Sequence, residues 1–395
     1  MQIKLYKEGK TPFYAPNLDF YKDKHRIEPA WAPVFYNPRM SLSRDLGVVT
    51  VAAYVRYFEK DKVKIVEPLS ATGVRGLRYL NEALRDLDVD AELVLNDVNT
   101  LAYNLMQKNV KLNNLNAAVF NTDANLLLHY FSFRGKKADI IDIDPFGSPV
   151  PFIQGALNAL KNGGMLCVTA TDMPPLVGIY PSVCLRKYGS VSLKTEYARE
   201  LAVRILVRHI MVEAGKFGLS CTPLFVQSSD HYVRVCCQVF KNRTKATKQV
   251  KSQAYVMHCF KCLYREIVKH PTANTCPDCG APVQYAGPLW PGKLWNPEFV
   301  DIMLEEYEKR PYLSTRGVKI LKYIKNEINA FPLHYTTDEL ASRFNLMEEP
   351  SRKKIVKKLK EAGDSHASLT HFHDKGFRSS FKARKILELI QNHRF

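Results

Sequence analysis

Hydrophobic positions cluster in short β-branched runs that alternate with longer amphipathic stretches over the first 240 residues. Val63-Lys64-Ile65-Val66-Glu67-Pro68, Glu92-Leu93-Val94-Leu95-Asn96-Asp97, Ala118-Val119-Phe120-Asn121-Thr122-Asp123-Ala124, Ala138-Asp139-Ile140-Ile141-Asp142-Ile143-Asp144 and Gly164-Met165-Leu166-Cys167-Val168-Thr169-Ala170 read as buried strands. Between them, helices are predicted over 46–58, from the turn at Ser70–Gly76, over 100–112 and over 151–160, the last ending at a glycine C-cap, Asn162-Gly163-Gly164. A helix over 196–217 leads to two runs, 219–227 and 232–240, joined across Ser228-Ser229-Asp230-His231 as an antiparallel pair. Five βα units closed by such a pair make a doubly wound α/β sheet.

Outside this core the pattern changes. Residues 1–47 are rich in proline and aromatic residues and predict short strands and an extended arm over the next domain. Residues 173–188 predict a loop at the carboxyl edge of the sheet. Lys241–Lys251 is basic and lacks apolar periodicity, so a domain boundary falls there, dividing 1–240 from 241–395. Beyond it, Gly287–Trp295 predicts a segment packed back on the core. Helices follow over 297–309, 315–329, 336–344 and 350–362, with a hairpin around 368–378, a winged-helix-like end to the chain (330–395). Lys353, Lys354, Lys357, Lys358 and Lys360 on one of these helices offer a phosphate-contacting face or merely a solvated one.

Composition narrows the classes. Net charge is +18, which points to a polyanionic partner, although lysine-rich proteins of hot environments share that bias. No apolar run approaches the ~20 residues needed to span a bilayer, and Met1-Gln2-Ile3-Lys4 does not resemble a signal peptide, so a cytoplasmic protein without a membrane partner is expected. Cys167, Cys184, Cys221, Cys236 and Cys237 sit among apolar neighbours and read as buried thiols. Cys259-Phe260-Lys261-Cys262 and Cys276-Pro277-Asp278-Cys279 are two knuckles whose spacing suits one tetrahedral zinc (residues 255–290). Four protein ligands leave no open position, so that zinc is expected to be structural.

The candidate chemistry lies where strands end. The Asp144 strand breaks at Pro145 and Gly147, which sets a carboxylate, a proline carbonyl and the Phe146 ring side by side. A carboxylate and a carbonyl accept hydrogen bonds from a flat amino group while the ring stacks on the base or amide that carries it. The turn Leu69-Ser70-Ala71-Thr72-Gly73-Val74-Arg75-Gly76 lacks both the three spaced glycines of a dinucleotide fingerprint and the lysine of a P-loop. Asp97 ends the second strand, where an acid grips a ribose diol or caps the next helix. Arg44 with Asp45 stands before a helix, where an arginine binds a carboxylate or phosphate or stays at the surface.

In this order these blocks resemble a class I S-adenosylmethionine-dependent methyltransferase. More narrowly, Phe35-Tyr36-Asn37-Pro38-Arg39, Leu69–Gly76, Asp144-Pro145-Phe146-Gly147-Ser148-Pro149, Thr169-Ala170-Thr171-Asp172 and Cys184-Leu185-Arg186-Lys187-Tyr188 resemble the tRNA (guanine-26, 2-amino) dimethyltransferase family. The resemblance implies a Rossmann-like methyltransferase sheet, a C-terminal tRNA-binding domain, S-adenosyl-L-methionine as cofactor and tRNA as partner, with no obligate protein partner. It implies Asp144, Pro145 and Phe146 as catalytic residues. Arg44 and Arg75 fall near the methionine moiety, Asp97 on the ribose, and Asp123 with Ala124 facing the adenine. Members of that family without the four cysteines exist, so zinc is not implied in the chemistry. Two rivals stay open: another amino-group methyltransferase acting on DNA adenine or protein glutamine, and a non-catalytic zinc and winged-helix nucleic-acid binder.

Overall fold

In a computed structural model of the chain, which describes residues 1–23, 26–229 and 231–391, strands and helices alternate much as the apolar pattern dictates. The elements, in chain order, are β1 (Ile3–Glu8), β2 (Thr11–Pro16), α1 (Ser41–Tyr57), β3 (Lys62–Glu67), α2 (Val74–Arg78), β4 (Asp90–Asn96), α3 (Thr100–Leu112), β5 (Ala117–Phe120), α4 (Ala124–Phe133), β6 (Ala138–Ile143), α5 (Val150–Ala159) and β7 (Leu160–Ala170). They continue as α6 (Pro181–Tyr188), α7 (Ala198–Gly215), β8 (Leu219–Ser229), β9 (Tyr232–Lys241), α8 (Arg243–Lys251), β10 (Ala254–His258), β11 (Arg265–Val268), β12 (Gln284–Leu289), α9 (Pro297–Glu308), α10 (Thr315–Glu327), β13 (Tyr335–Thr336), α11 (Thr337–Arg343), α12 (Arg352–Glu361), β14 (Ser368–Leu369), β15 (Gly376–Arg378) and α13 (Ala383–Gln391).

The chain divides into two units. The first comprises Met1–Thr169, Cys236–Phe240 and Glu298–Leu321. Its sheet runs β9-β7-β6-β3-β4-β5, with β3, β4, β5, β6 and β7 parallel. Strand order therefore reverses between β3 and β6, where Val66 lies opposite Ile141. In open α/β sheets a ligand sits at that switch point, beyond the carboxyl ends of the strands. The sheet is buried on both faces, and Ile65, Val66, Ile140, Ile141, Ile143 and Val168 are fully enclosed, as parallel strands covered by helices require.

The proline-rich start of the chain is the expected arm. The β1–β2 hairpin packs Phe13 and Ala15 against Leu18, Tyr36 and Val74. Asn109 on α3 holds it in register by accepting from the Tyr14 amide at 2.6 Å and donating to the Tyr14 carbonyl at 2.9 Å.

The second unit comprises Ala170–Val235, Lys241–Pro297 and Lys322–Phe395. β8 and the start of β9 form the antiparallel pair; Asp230 of the expected turn lies outside the described residues. A three-stranded sheet, β11-β10-β12, carries the cysteine knuckles. A second small sheet, β13-β15-β14, with α11, α12 and α13 makes the winged-helix-like end, whose core gathers Tyr335, Leu340, Ile355, Leu359, Phe377 and Ile386. Residues 392–395 of that expected module lie outside the described residues. Trp295 is buried and donates from Nε1 to the Val226 carbonyl at 2.8 Å, so the 287–295 segment does pack on the core.

Several local expectations differ from the structure. The first helix begins at Ser41 rather than Leu46, because Asn37 caps a turn at Pro38–Met40 that runs straight into it; Arg44 and Asp45 are helical. Asn162-Gly163-Gly164 is no helix cap but part of β7. Gly163 has φ +83°, and a Cβ on Gly164 would stand 2.8 Å from the Asp139 carbonyl, so the glycines serve close strand approach at a bulge. The expected loop 173–188 contains a turn of helix at Met173–Leu176 and α6. Lys241–Lys251 is largely helix α8, capped by Asn242, which accepts from the Lys245 amide at 2.9 Å. Helix α13 was not expected, although Ala383, Ile386, Leu387 and Ile390 trace an apolar stripe at helical spacing. Cys167 and Cys236, read as thiols, form a disulfide between β7 and β9 with Cα atoms 4.2 Å apart. The pairing of β7 with β9 brings together these residues, 69 positions apart in sequence.

Candidate functional site

Three strand ends and one turn build the site in the first unit. At the end of β3, Glu67 is buried and accepts the Gly76 amide through Oε2 at 3.1 Å, while its Oε1 has no partner. Burial, then the neighbouring Asp142 carboxylate, pushes the Glu67 carboxyl well above the usual range. The turn between β3 and α2 needs Gly73 at φ +75°. It also bends Ala71 into the left-handed region at φ +47°, a conformation that costs a non-glycine residue about 1–2 kcal/mol.

Asp97 holds that turn in place. Its Oδ2 accepts the Ala71 amide at 2.9 Å and its Oδ1 accepts the Asn99 amide at 2.9 Å. The second bond makes Asp97 part of the start of α3, but Asn99, not Asp97, is the helix cap. A carboxylate offers about four acceptor positions, so two remain for a diol. Beside it, Asn96 is fully buried and donates to the carbonyls of Pro68 at 2.9 Å and Thr122 at 3.0 Å. Asn96 thus ties together the ends of β3, β4 and β5. It was missed in the sequence because an amide after an apolar run looks like any strand end. Asp123 caps α4 by accepting the Leu126 amide at 3.0 Å, and Ala124 beside it is buried.

At the end of β6, Asp144 is 24% exposed and Phe146 is 77% exposed. Arg75 donates to Asp144 Oδ2 and, from the same guanidinium, to the Ser43 carbonyl at 3.4 Å and Ser43 Oγ at 3.2 Å. Burial disfavours the Arg75 charge, but the surrounding carboxylates, Asp144 first, outweigh it and hold it cationic. The Phe146 ring meets Phe35 of the arm edge-on, centroids 5.7 Å apart. Two exposed rings therefore meet beside the strand end that carries the partly open Asp144 carboxylate.

Arg44 faces the arm. Its Nε donates to Glu8 Oε2 at 2.7 Å, its Nη2 to Glu8 Oε1 at 2.5 Å and to the Asn37 carbonyl at 3.0 Å. Glu8 also receives Tyr36 and Arg78, and Arg78 in turn reaches Asp45 at 2.7 Å. Glu8, like Ser43 and Asn96, carried no signal in the sequence: its charge is meaningful only once β1 lies against α1.

In the second unit, the four cysteines converge. Sγ of Cys259, Cys262, Cys276 and Cys279 all lie within 4.8 Å of one another, with Cys259–Cys279 at 3.6 Å and Cys262–Cys276 at 3.5 Å. Tetrahedral zinc with bonds of about 2.3 Å sets its sulfurs about 3.8 Å apart, so the donor set fits that ion.

The comparisons with known proteins agree with this architecture. The family model described as N2,N2-dimethylguanosine tRNA methyltransferase matches residues 19–391. The chain is 37% identical over 396 residues to the tRNA (guanine(26)-N(2))-dimethyltransferase of Saccharolobus islandicus, covering 99% of this chain and all of the relative. It is 33% identical over 365 residues to the tRNA (guanine(26)-N(2)/guanine(27)-N(2))-dimethyltransferase of Aquifex aeolicus, covering 91% and 90% of the two. The solved structure of Trm1 from Pyrococcus horikoshii with S-adenosyl-L-methionine is similar with a TM-score of 0.82 and 31% identity, covering 98% of this chain and 99% of that one. Kinship across nearly the whole chain, together with the Asp144 turn at the switch point, shows that the protein belongs to the N2,N2-dimethylguanosine tRNA methyltransferase family.

Proposed function

We infer that this protein transfers one or two methyl groups from S-adenosyl-L-methionine to the 2-amino group of guanine 26 in tRNA. The observation that carries the reading is the match over residues 19–391, which includes the Asp144-Pro145-Phe146 turn at the switch point. When bound, the cofactor supplies an electrophilic methyl group on a sulfonium. Glu67's unpartnered buried oxygen and the glycine turn beside it fit a polar ligand at this edge. Asp97 holds the ribose, Asp123 and Ala124 border the adenine, and Arg44 and Arg75, already matched by Glu8 and Asp144, border the methionine end.

The acceptor amine is a poor nucleophile because its lone pair is delocalised into the ring. Asp144 and the Pro145 carbonyl accept its hydrogens and localise the lone pair on nitrogen, and Phe146 stacks on the base turned out of the helix. One Asp144 oxygen is taken by Arg75, so the other meets the amine and accepts the proton shed on methylation. Positioning, rather than strong base catalysis, lowers the barrier.

Residues 1–240 carry this chemistry in our reading, while 241–395 grip the tRNA, with one structural zinc on Cys259, Cys262, Cys276 and Cys279. Among the described residues no helix is long and apolar enough to cross a membrane; the tRNA reading itself puts the work of this protein in the cytoplasm. Incubation with methyl-labelled cofactor and transcripts bearing guanine or adenine at position 26, with DNA and protein substrates offered in parallel, followed by mass spectrometry of the products, tests the reading. Label in N2-methyl- or N2,N2-dimethylguanosine only from the first transcript is expected. Label in DNA adenine or in protein instead would overturn it.

A further inference from the structure

The C-terminal module holds a cleft of about 320 Å³ between the end of α10, α12 and the segment that leads into β14. That is the small end of the ~300–1,000 Å³ range of small-ligand sites, room for one nucleotide and too little for a duplex. Its polar groups point to what would enter. Asn326 and Asn329 bring two amides from the α10 side, each able to donate and accept, as a base edge does. Lys360 supplies a cation from α12, and among the described residues no carboxylate lines the cleft. Tyr323 and His366 provide ring faces, and Val356 and Ala330 apolar wall.

Ser368 is a lining residue only 6% exposed, and its Oγ, closed to solvent, has no hydrogen-bond partner. An unsatisfied buried hydroxyl costs about 1–3 kcal/mol, which a χ1 rotation of Ser368 toward a polar group in the cleft would recover. We propose that this cleft binds a single unpaired nucleotide of the RNA substrate, its base between the Asn326 and Asn329 amides and Ser368, its phosphate on Lys360. RNA is read mainly at unpaired bases that can be splayed into such sites. This proposal rests on the reading of the protein as a tRNA enzyme and locates a second hold on that substrate, away from the amine that is methylated.

The full-length protein tests it in two ways. First, tRNA affinity by fluorescence anisotropy is compared between wild type, N326A/N329A and K360Q. The double variant is expected to bind about tenfold more weakly with an unchanged melting temperature and cofactor affinity. K360Q is expected to lower the slope of log affinity against log salt by about one. Second, saturation-transfer NMR with adenosine 5′-monophosphate reads the cleft without catalysis, and the signal is expected to vanish in N326A/N329A. Wild-type tRNA affinity in both variants, or a nucleotide signal that survives them, overturns the cleft. A wild-type protein that methylates no tRNA yet shows the Asn-dependent nucleotide signal overturns the substrate reading and leaves the cleft standing.

Discussion

Arg75 donates to Asp144 although the two residues stand 69 positions apart, one just after the turn that ends β3 and the other at the end of β6. The pair spans the switch point of the sheet, so in the proposed reading the arginine beside the cofactor turn orients the carboxylate that meets the acceptor. One buried guanidinium thereby ties Ser43 of α1 to the end of β6.

Asp144→Ala should consequently fail twice. Methyl transfer should drop below detection because the amine loses its acceptor. Stability should also fall, since an uncompensated buried arginine costs about 3–5 kcal/mol, reduced here by the partial exposure of Asp144 to about 2–3 kcal/mol. Urea unfolding and a labelled-methyl assay check both. Asp144→Asn, which can still accept from Arg75, should recover part of the stability without the activity. Full turnover by either variant would remove Asp144 from the chemistry.

Asp97→Ala should weaken cofactor binding by about 1–3 kcal/mol through the lost diol bonds and the freed Ala71 amide. Calorimetry reads the affinity directly. Asp97→Asn retains one acceptor oxygen, so an intermediate loss is expected. Unchanged affinity in Asp97→Ala would leave the residue only its role in bracing the turn and α3.

Acid should loosen the second unit through Glu327. Burial raises its carboxyl, but Arg378 and His371 outweigh burial and bring it down to about 2. His371 Nδ1 lies 2.6 Å from Glu327, and Thr370 and Arg378 also donate to it. A folded-state value depressed below the ordinary one means stability that is complete above about pH 4.5 and is lost as pH falls through about 2, roughly 3 kcal/mol in all. Glu327→Gln should flatten that dependence while lowering stability at pH 7, as chemical denaturation across pH 2–7 would show. A variant as acid-labile as wild type would refute it.

Metal removal should act on the same unit and spare the cofactor. Leu263, directly after the first knuckle, is buried in the core formed by Tyr335, Leu340, Ile355, Leu359 and Phe377. Arg265 donates to the His334 carbonyl at 2.7 Å, and Lys382 reaches Asp278 at 2.9 Å. Chelation or Cys276→Ser should raise hydrogen exchange over 255–290 and over the winged-helix-like end, and raise the KM for tRNA, with cofactor affinity unchanged. Elemental analysis should find about one zinc per chain; none in gently purified protein would overturn the assignment.

Alternation of β-branched runs with helical periodicity was enough to place β3 to β7 and the acids at their ends, because burial on both faces forces near-continuous apolar strands. The spacing of the four cysteines likewise survives in sequence, since two tight knuckles keep their ligands local. Asp144-Pro145-Phe146 was legible because proline and glycine stop a strand wherever it lies. What tertiary structure alone decided is which charges meet. Glu8 with Arg44, Arg75 with Asp144 and Glu327 with Arg378 come from segments tens of residues apart, and a charge has no partner until strands take their register. The same holds for the Cys167–Cys236 disulfide and for the cleft lined by Asn326, Lys360 and Ser368. Periodicity reports which face a residue turns inward; only the packed chain determines what waits there.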